Sequence, residues 1–175
     1  MFTIIAIVVV ILFAALFGFA ATKPNTFSVA RATNMKAPPE KIFPLINDLL
    51  SWGTWSPWEK VDPNMKRTHS GTTSGKGAVY EWDGNAKVGK GRMEITDAVS
   101  PSKVILKLDF FKPIEGHNIA EFTLETRGDL TVVTWAMNGP ARFISKLIHV
   151  FLNMDKMVGK QFETGLANLK AIAEK

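Results

Sequence analysis

KVILKLDFFKPIEGHNIAEFTLETRGDLTVVTWAM, residues 103–137, reads as three strands with two tight connections. Apolar and polar side chains alternate through Lys103–Phe111, His117–Thr126 and Leu130–Met137. A period of two puts successive side chains on opposite faces of a sheet. Lys112-Pro113 and Arg127-Gly128-Asp129 separate the runs. Proline and glycine punctuate strands, and connections this short join antiparallel neighbours, whereas βαβ units need long crossovers.

The same pattern extends upstream. Met65–Ser70, Ala78–Trp82 and Lys87–Asp97 are strand-like, with Gly71–Gly77, Asp83-Gly84-Asn85 and Ser100-Pro101-Ser102 between the runs. Thr26–Met35 alternates around Phe27 and Val29 and predicts a first strand. Ala37-Pro38-Pro39-Glu40 then opens a helix, since proline is tolerated where the first-turn N–H has no partner. Ile42, Phe43, Leu45, Ile46, Leu49 and Leu50 form its apolar face, and Pro44 is admissible only near its start. Trp52-Gly53-Thr54-Trp55-Ser56-Pro57-Trp58 follows, then a turn at Asp62-Pro63-Asn64.

From Arg142 the period becomes helical: Ile144, Leu147, Ile148, Phe151, Met154, Val158, Phe162, Leu166, Leu169 and Ile172 form one stripe. Asp155 is placed to cap a second segment, which predicts a short helix and then a long one. Gly159 and Gly165 cost helix stability and imply close packing there. The order is strand, helix, antiparallel meander, long amphipathic helix. It predicts an α+β domain in which a curved antiparallel sheet wraps the C-terminal helix and leaves a cavity between them.

Residues 1–22 read differently. Phe2 to Ala21 carry no charge and, as a helix, span roughly 30 Å, the thickness of a bilayer's hydrocarbon core. A cleaved signal peptide is the rival, with small residues at Gly18-Phe19-Ala20. Two features favour a retained single-pass transmembrane anchor. No Lys or Arg precedes the run, and the run exceeds the usual 7–15 apolar residues of a signal. Lys23, Arg31, Lys36 and Lys41 follow it and favour a cytoplasmic domain, but larger domains translocate largely regardless of charge, so the side is open. Residues 23–175 form one domain, large enough to bury a core without metals or disulfides.

The chain has no cysteine, which excludes disulfides and thiol catalysis. Its net charge of +5 is spread among acidic residues. That fits a solvated surface or weak attraction to anionic headgroups, and it lacks the concentrated stripe a nucleic acid wants.

Alternation assigns the inward faces: Tyr80 and Trp82; Gly89, Gly91, Met93 and Ile95; Leu106, Leu108 and Phe110; Phe122 and Leu124; Val133, Trp135 and Met137. Glu81, Asp83, Lys90, Arg92, Glu94, Lys107, Asp109, Glu121 and Glu125 fall on the other, solvated face. The inward set is almost wholly apolar, and Gly89 and Gly91 leave space on it or mark a bend. The expected ligand-binding set is Trp52, Trp55, Trp58, Tyr80, Trp82, Gly91, Met93, Leu106, Leu108, Phe110, Phe122, Trp135, Met137, Met154, Met157 and Phe162. The three clustered tryptophans either line a cavity mouth, with indole N–H groups orienting a ligand, or plug a corner of the sheet. Met154 and Met157 suit adaptable apolar binding and equally suit a core.

Catalytic signals are thin. His69, His117 and His149 lie on separate elements with no metal-ligand spacing, and no nucleophile elbow, phosphate loop or dinucleotide fingerprint occurs. Thr72-Thr73-Ser74-Gly75-Lys76-Gly77 lacks the spacing of a phosphate loop and opens a strand. Asp97, Asp109 and Arg92 make an acid–base set only if one strand's register is reversed.

Four segments carry a family resemblance: APPEKIFPLINDLLSWGTWSPWEKVDPNMK (37–66), GKGAVYEWDGNAKVGKGRMEI (75–95), VTWAMNGP (133–140) and MDKMVGKQFETGLANLKAIAE (154–174). Together they resemble the SRPBCC superfamily, which includes START, Bet v 1 and polyketide-cyclase-like proteins, and within it small bacterial proteins with an N-terminal membrane anchor. The resemblance implies a helix-grip fold with a deep hydrophobic cavity. Members include lipid carriers, hormone receptors, aromatic cyclases and stress-response proteins, so the fold leaves function open. The expectation is membrane-anchored binding of a small hydrophobic or lipid-like ligand, with no cofactor, metal or nucleic acid. The alternative is a polyketide cyclase/dehydrase-like enzyme acting on a hydrophobic substrate.

Overall fold

The computed structural model describes residues 2–141, 146 and 154–175. The predicted short helix, and with it Ile144, Leu147, Ile148, His149 and Phe151, lies outside the described residues, as does the side chain of Met154.

Seven strands form one antiparallel sheet: β1 (Thr26–Met35), β2 (Lys66–Gly71), β3 (Ala78–Asp83), β4 (Lys90–Val99), β5 (Lys103–Lys112), β6 (Gly116–Arg127) and β7 (Leu130–Pro140). The spatial order is β1-β7-β6-β5-β4-β3-β2, so β2 to β7 are a meander and β1 closes its far side against β7. The alternating runs seen in the sequence are these strands. The predicted start of β4 at Lys87 moves to Lys90, because Gly89 turns there with φ of +72° and a Cβ at that position would collide with the Lys112 carbonyl, so only glycine fits. Register shifts at Lys90/Gly91 and Ile95/Asp97 bend β4, as bulges do.

Five helices are described: α1 (Phe2–Ala21), α2 (Pro39–Asn47), α3 (Trp52–Trp55), α4 (Trp58–Val61) and α5 (Met154–Ala173). Helix α1 is long and apolar enough to cross a membrane, and Ala20 is its one buried residue. Helix α5 runs along the inner face of the sheet and buries Phe162, Leu166, Leu169 and Ala173. Both its glycines are contact points. Arg31 of β1 crosses Gly159, and a side chain at 165 would meet the Trp135 ring 2.8 Å away and Pro57 at 3.1 Å. Arg31 also pairs with Asp155 (3.0 Å) and Glu163 (2.7 Å), fastening the start of α5 to β1. One apolar core joins the sheet, α2, α3 and α5.

Candidate functional site

The tryptophan segment folds into two one-turn helices because its indoles find backbone acceptors. Trp52 Nε1 donates to Ile46 O and Trp55 Nε1 to Leu45 O, both at 2.9 Å. Asn168 of α5 donates to Trp55 O at 3.0 Å and ties the segment to the long helix. The rings close around Trp135. Phe162 stacks on it at 4.1 Å and 8°, Phe122 lies against it at 4.8 Å and 28°, and Trp52, Trp55 and Trp58 meet it edge-on at 5.6–6.0 Å.

Beside this cluster is a cavity of about 510 Å³ enclosed by the sheet, α3, α4 and α5. Its exposed lining residues are Lys87 of the β3–β4 connection, Lys112 ending β5, Pro113 to Glu115 between β5 and β6, His117 of β6, Pro140 ending β7, and Met157 of α5. They mark the mouth. The closed end is aromatic, formed by Trp52, Trp58, Trp135 and Phe162. The tryptophans are therefore at the closed end and not at the mouth, and the N–H groups of Trp52 and Trp55 are committed to structure.

Twelve of the expected residues line the cavity: Trp52, Trp58, Tyr80, Trp82, Met93, Leu106, Leu108, Phe110, Trp135, Met137, Met157 and Phe162. Met157 is 52% exposed, so it is a rim residue and not core filler. Trp55 and Phe122 do not line it; both are buried behind the wall. Gly91 opens no space. The Trp82 ring lies across it and the Asp109 carbonyl is close behind, so the volume expected there is filled. Trp82 is held in that pose by the edge of Phe110 at 5.8 Å.

The wall also holds polar groups that the inward set omitted. Tyr80 donates to Glu59 Oε1 at 2.6 Å, and Arg67 Nε donates to Glu59 Oε2 at 2.6 Å; Tyr80 and Glu59 both line the cavity. Burial, and then the hydrogen bond to Glu59, push the Tyr80 hydroxyl well above its ordinary pKa, so it stays neutral and its proton is committed. The Glu59 hydrogen bond likewise raises Arg67. Ser56 and Asn118 line the cavity as buried polar residues. Asn118 was legible: continuing the β6 alternation back from Phe122 passes Ala120 and reaches it. Glu59 was not, because a four-residue helix has no readable period.

On the far face of the sheet, Asp109 is 5% exposed, not solvated. His117 Nδ1 lies 2.7 Å from one of its oxygens and Lys107 Nζ 3.0 Å from the other. Burial opposes the carboxylate, but the hydrogen bonds from His117 and Lys107 outweigh it and hold the Asp109 pKa below its ordinary value. Asp109 first, then Glu115, raises His117. Arg92 stands opposite Asp109 yet pairs with Glu94, so the acid–base set does not form, and His117, the partner of Asp109, reaches the cavity lining instead. His69 packs on Tyr80 at 4.8 Å. Among the described residues no cluster of three His, Cys, Asp or Glu is placed to hold a metal ion.

The family described as polyketide cyclase/dehydrase and lipid transport matches residues 26–174. The chain belongs to that family. Within the wider SRPBCC superfamily, the cyclase/dehydrase and lipid-transport fold recurs in solved structures. A Chromobacterium violaceum protein is 18% identical with a TM-score of 0.59, covering 87% of this chain and 99% of its own. Aha1 of Colwellia psychrerythraea, solved as a dimer, is 16% identical with a TM-score of 0.61, covering 85% and 96%. The di-domain ARO/CYC BexL of the BE-7585A biosynthetic pathway is 12% identical with a TM-score of 0.61, covering 89% of this chain and 52% of BexL. At these identities the likeness shows the helix-grip fold alone. No curated protein sequence matches the chain.

Proposed function

We propose that residues 23–175 bind a small hydrophobic or lipid-like molecule in the cavity while residues 1–22 hold the domain at a bilayer. The carrying observation is a cavity of about 510 Å³ with an aromatic closed end and one rim of exposed residues. That size lies within the 300–1,000 Å³ usual for ligand sites, and such apolar walls select by shape and area. The family's description includes lipid transport, which supports the reading. Exposure of nearly all of α1 supports an anchor over a core helix; a signal sequence shares its length and composition.

Two measurements test this. Mass spectrometry of the intact membrane-extracted protein should find a copurifying apolar compound. The full chain should stay with membranes through carbonate washing, and sequencing should find its N-terminus uncleaved. An empty protein that no apolar compound stabilises, or a mature N-terminus near Ala21, would refute the corresponding half.

The second reading is a cyclase/dehydrase-like enzyme, favoured by the Tyr80–Glu59–Arg67 set at the wall. It predicts turnover of a bound compound that is lost in Glu59→Gln with binding retained.

A further inference from the structure

Asn118 is a polar residue of the cavity wall whose side chain pairs with no described residue; the buried Trp135 Nε1 in the same wall is also unpaired. It is 8% exposed, lines the cavity, and sits opposite Leu108 on the inner face of β6. The ladder uses its backbone, but its carboxamide has no hydrogen-bond partner among the described residues. A carboxamide carries two N–H donors and an acceptor oxygen, and those of Asn118 are not among the sealed, unpaired polar atoms of the described residues, so a bound molecule can reach them. The fold makes room for the carboxamide. Gly139 of β7 lies under the Asn118 carboxamide, and any side chain at 139 would collide with it and with Phe27.

The surroundings define what would pair with it. Inward lie Leu106, Trp135 and Phe162, which take an apolar body. Outward, at the mouth, Lys87 and Lys112 stand beside Glu115 and His117, and the two lysines make no ion pair among the described residues, so they can meet an anionic head. We propose that Asn118 is the recognition group for the head of an acyl chain bound tail-inward, with an Asn118 N–H donating to the carboxylate or carbonyl oxygen. This rests on the cavity-binding reading above. It adds that the ligand is a fatty acid foremost, that an ester is second, and that a hydrocarbon of equal length is weakest.

All five tryptophans lie in residues 23–175 and none in α1, so bromine dissolved in a bilayer around α1 does not meet them. The full chain in lipid nanodiscs is titrated with dibrominated stearate, its methyl ester and the matching dibrominated hydrocarbon, and tryptophan quenching is followed. The wild type should rank them in that order. Asn118→Leu should weaken stearate about tenfold, the worth of one hydrogen bond, and leave the hydrocarbon unchanged. Asn118→Asp, which adds a negative charge in nearly the same shape, should weaken stearate further and spare the hydrocarbon; it decides the matter if the leucine variant fails to fold. Equal affinities for all three probes, or stearate binding unchanged in the variants, overturns the role of Asn118 while cavity binding stands. Quenching by none of the probes overturns cavity binding and this proposal with it.

Discussion

At Gly91 the physics runs against a simple count of volume. A missing side chain suggests room, yet the neighbouring Trp82 ring lies over the bare backbone and uses it. Gly91→Leu should therefore displace Trp82 and cost about 1–3 kcal/mol, as overpacking does, read by denaturant unfolding and a shifted tryptophan emission. A neutral substitution would mean that the ring swings aside freely. The Asp109–His117 pair sets a second test. The raised His117 pKa stabilises the fold fully below about pH 6.5 and loses its contribution as pH rises through the folded value. The depressed Asp109 pKa contributes above about pH 4 and loses its contribution as pH falls through the folded value. Stability from the pair is thus greatest between those limits. Melting temperature should fall between pH 6 and 8.5 in the wild type and fall less in His117→Gln; parallel curves would show that the imidazole gains no charge preference on folding.

At the scale of elements, strands were legible because a period of two survives in ten residues, and β1 runs from Thr26 to Met35 as its alternation predicts. Helices α3 and α4 were not, since four residues make about one turn and carry no stripe. The same brevity hid Glu59, and tertiary packing of the indoles, not propensity, holds that segment helical. Sequence also put Tyr80, Trp82, Met93, Leu106, Leu108, Phe110, Trp135 and Met137, all of them lining residues, on inward faces but could not separate wall from core. Phe122 and Leu106 share the inward face, and only the placement of α3 and α5 decides that one is sealed and the other lines space. Helix α5 itself is anchored by Phe162, 2% exposed and stacked on Trp135. Phe162→Ala should destabilise by about 3–5 kcal/mol in urea unfolding and enlarge the closed end of the cavity. A loss under about 1 kcal/mol would mean that the sheet closes without the helix.

For the whole molecule, the position of the mouth relative to α1 matters most. Thr26 pairs with Pro140, a rim residue, and Phe27 also lines the cavity. The four residues between Ala21 and Thr26 reach at most roughly 17 Å. They are also tied down, because Asn25 O accepts from Ala141 N at 2.7 Å and the Asn25 side chain accepts from Lys146 at 2.6 Å. If α1 is embedded, the mouth is held close to the bilayer surface, with the exposed Ile114 and Met157 on its rim. A ligand dissolved in that bilayer then needs no aqueous crossing, and exchange should depend on the short connection. A flexible Gly/Ser spacer of about 30 residues inserted after Thr22 lets the domain wander by roughly 30 Å. With the protein reconstituted in vesicles, quenching by a brominated acyl compound already in the bilayer should develop more slowly in the spacer variant, while equilibrium quenching and melting temperature stay the same. Equal rates would mean that ligand reaches the cavity through water and that the proximity of anchor and mouth plays no part in loading.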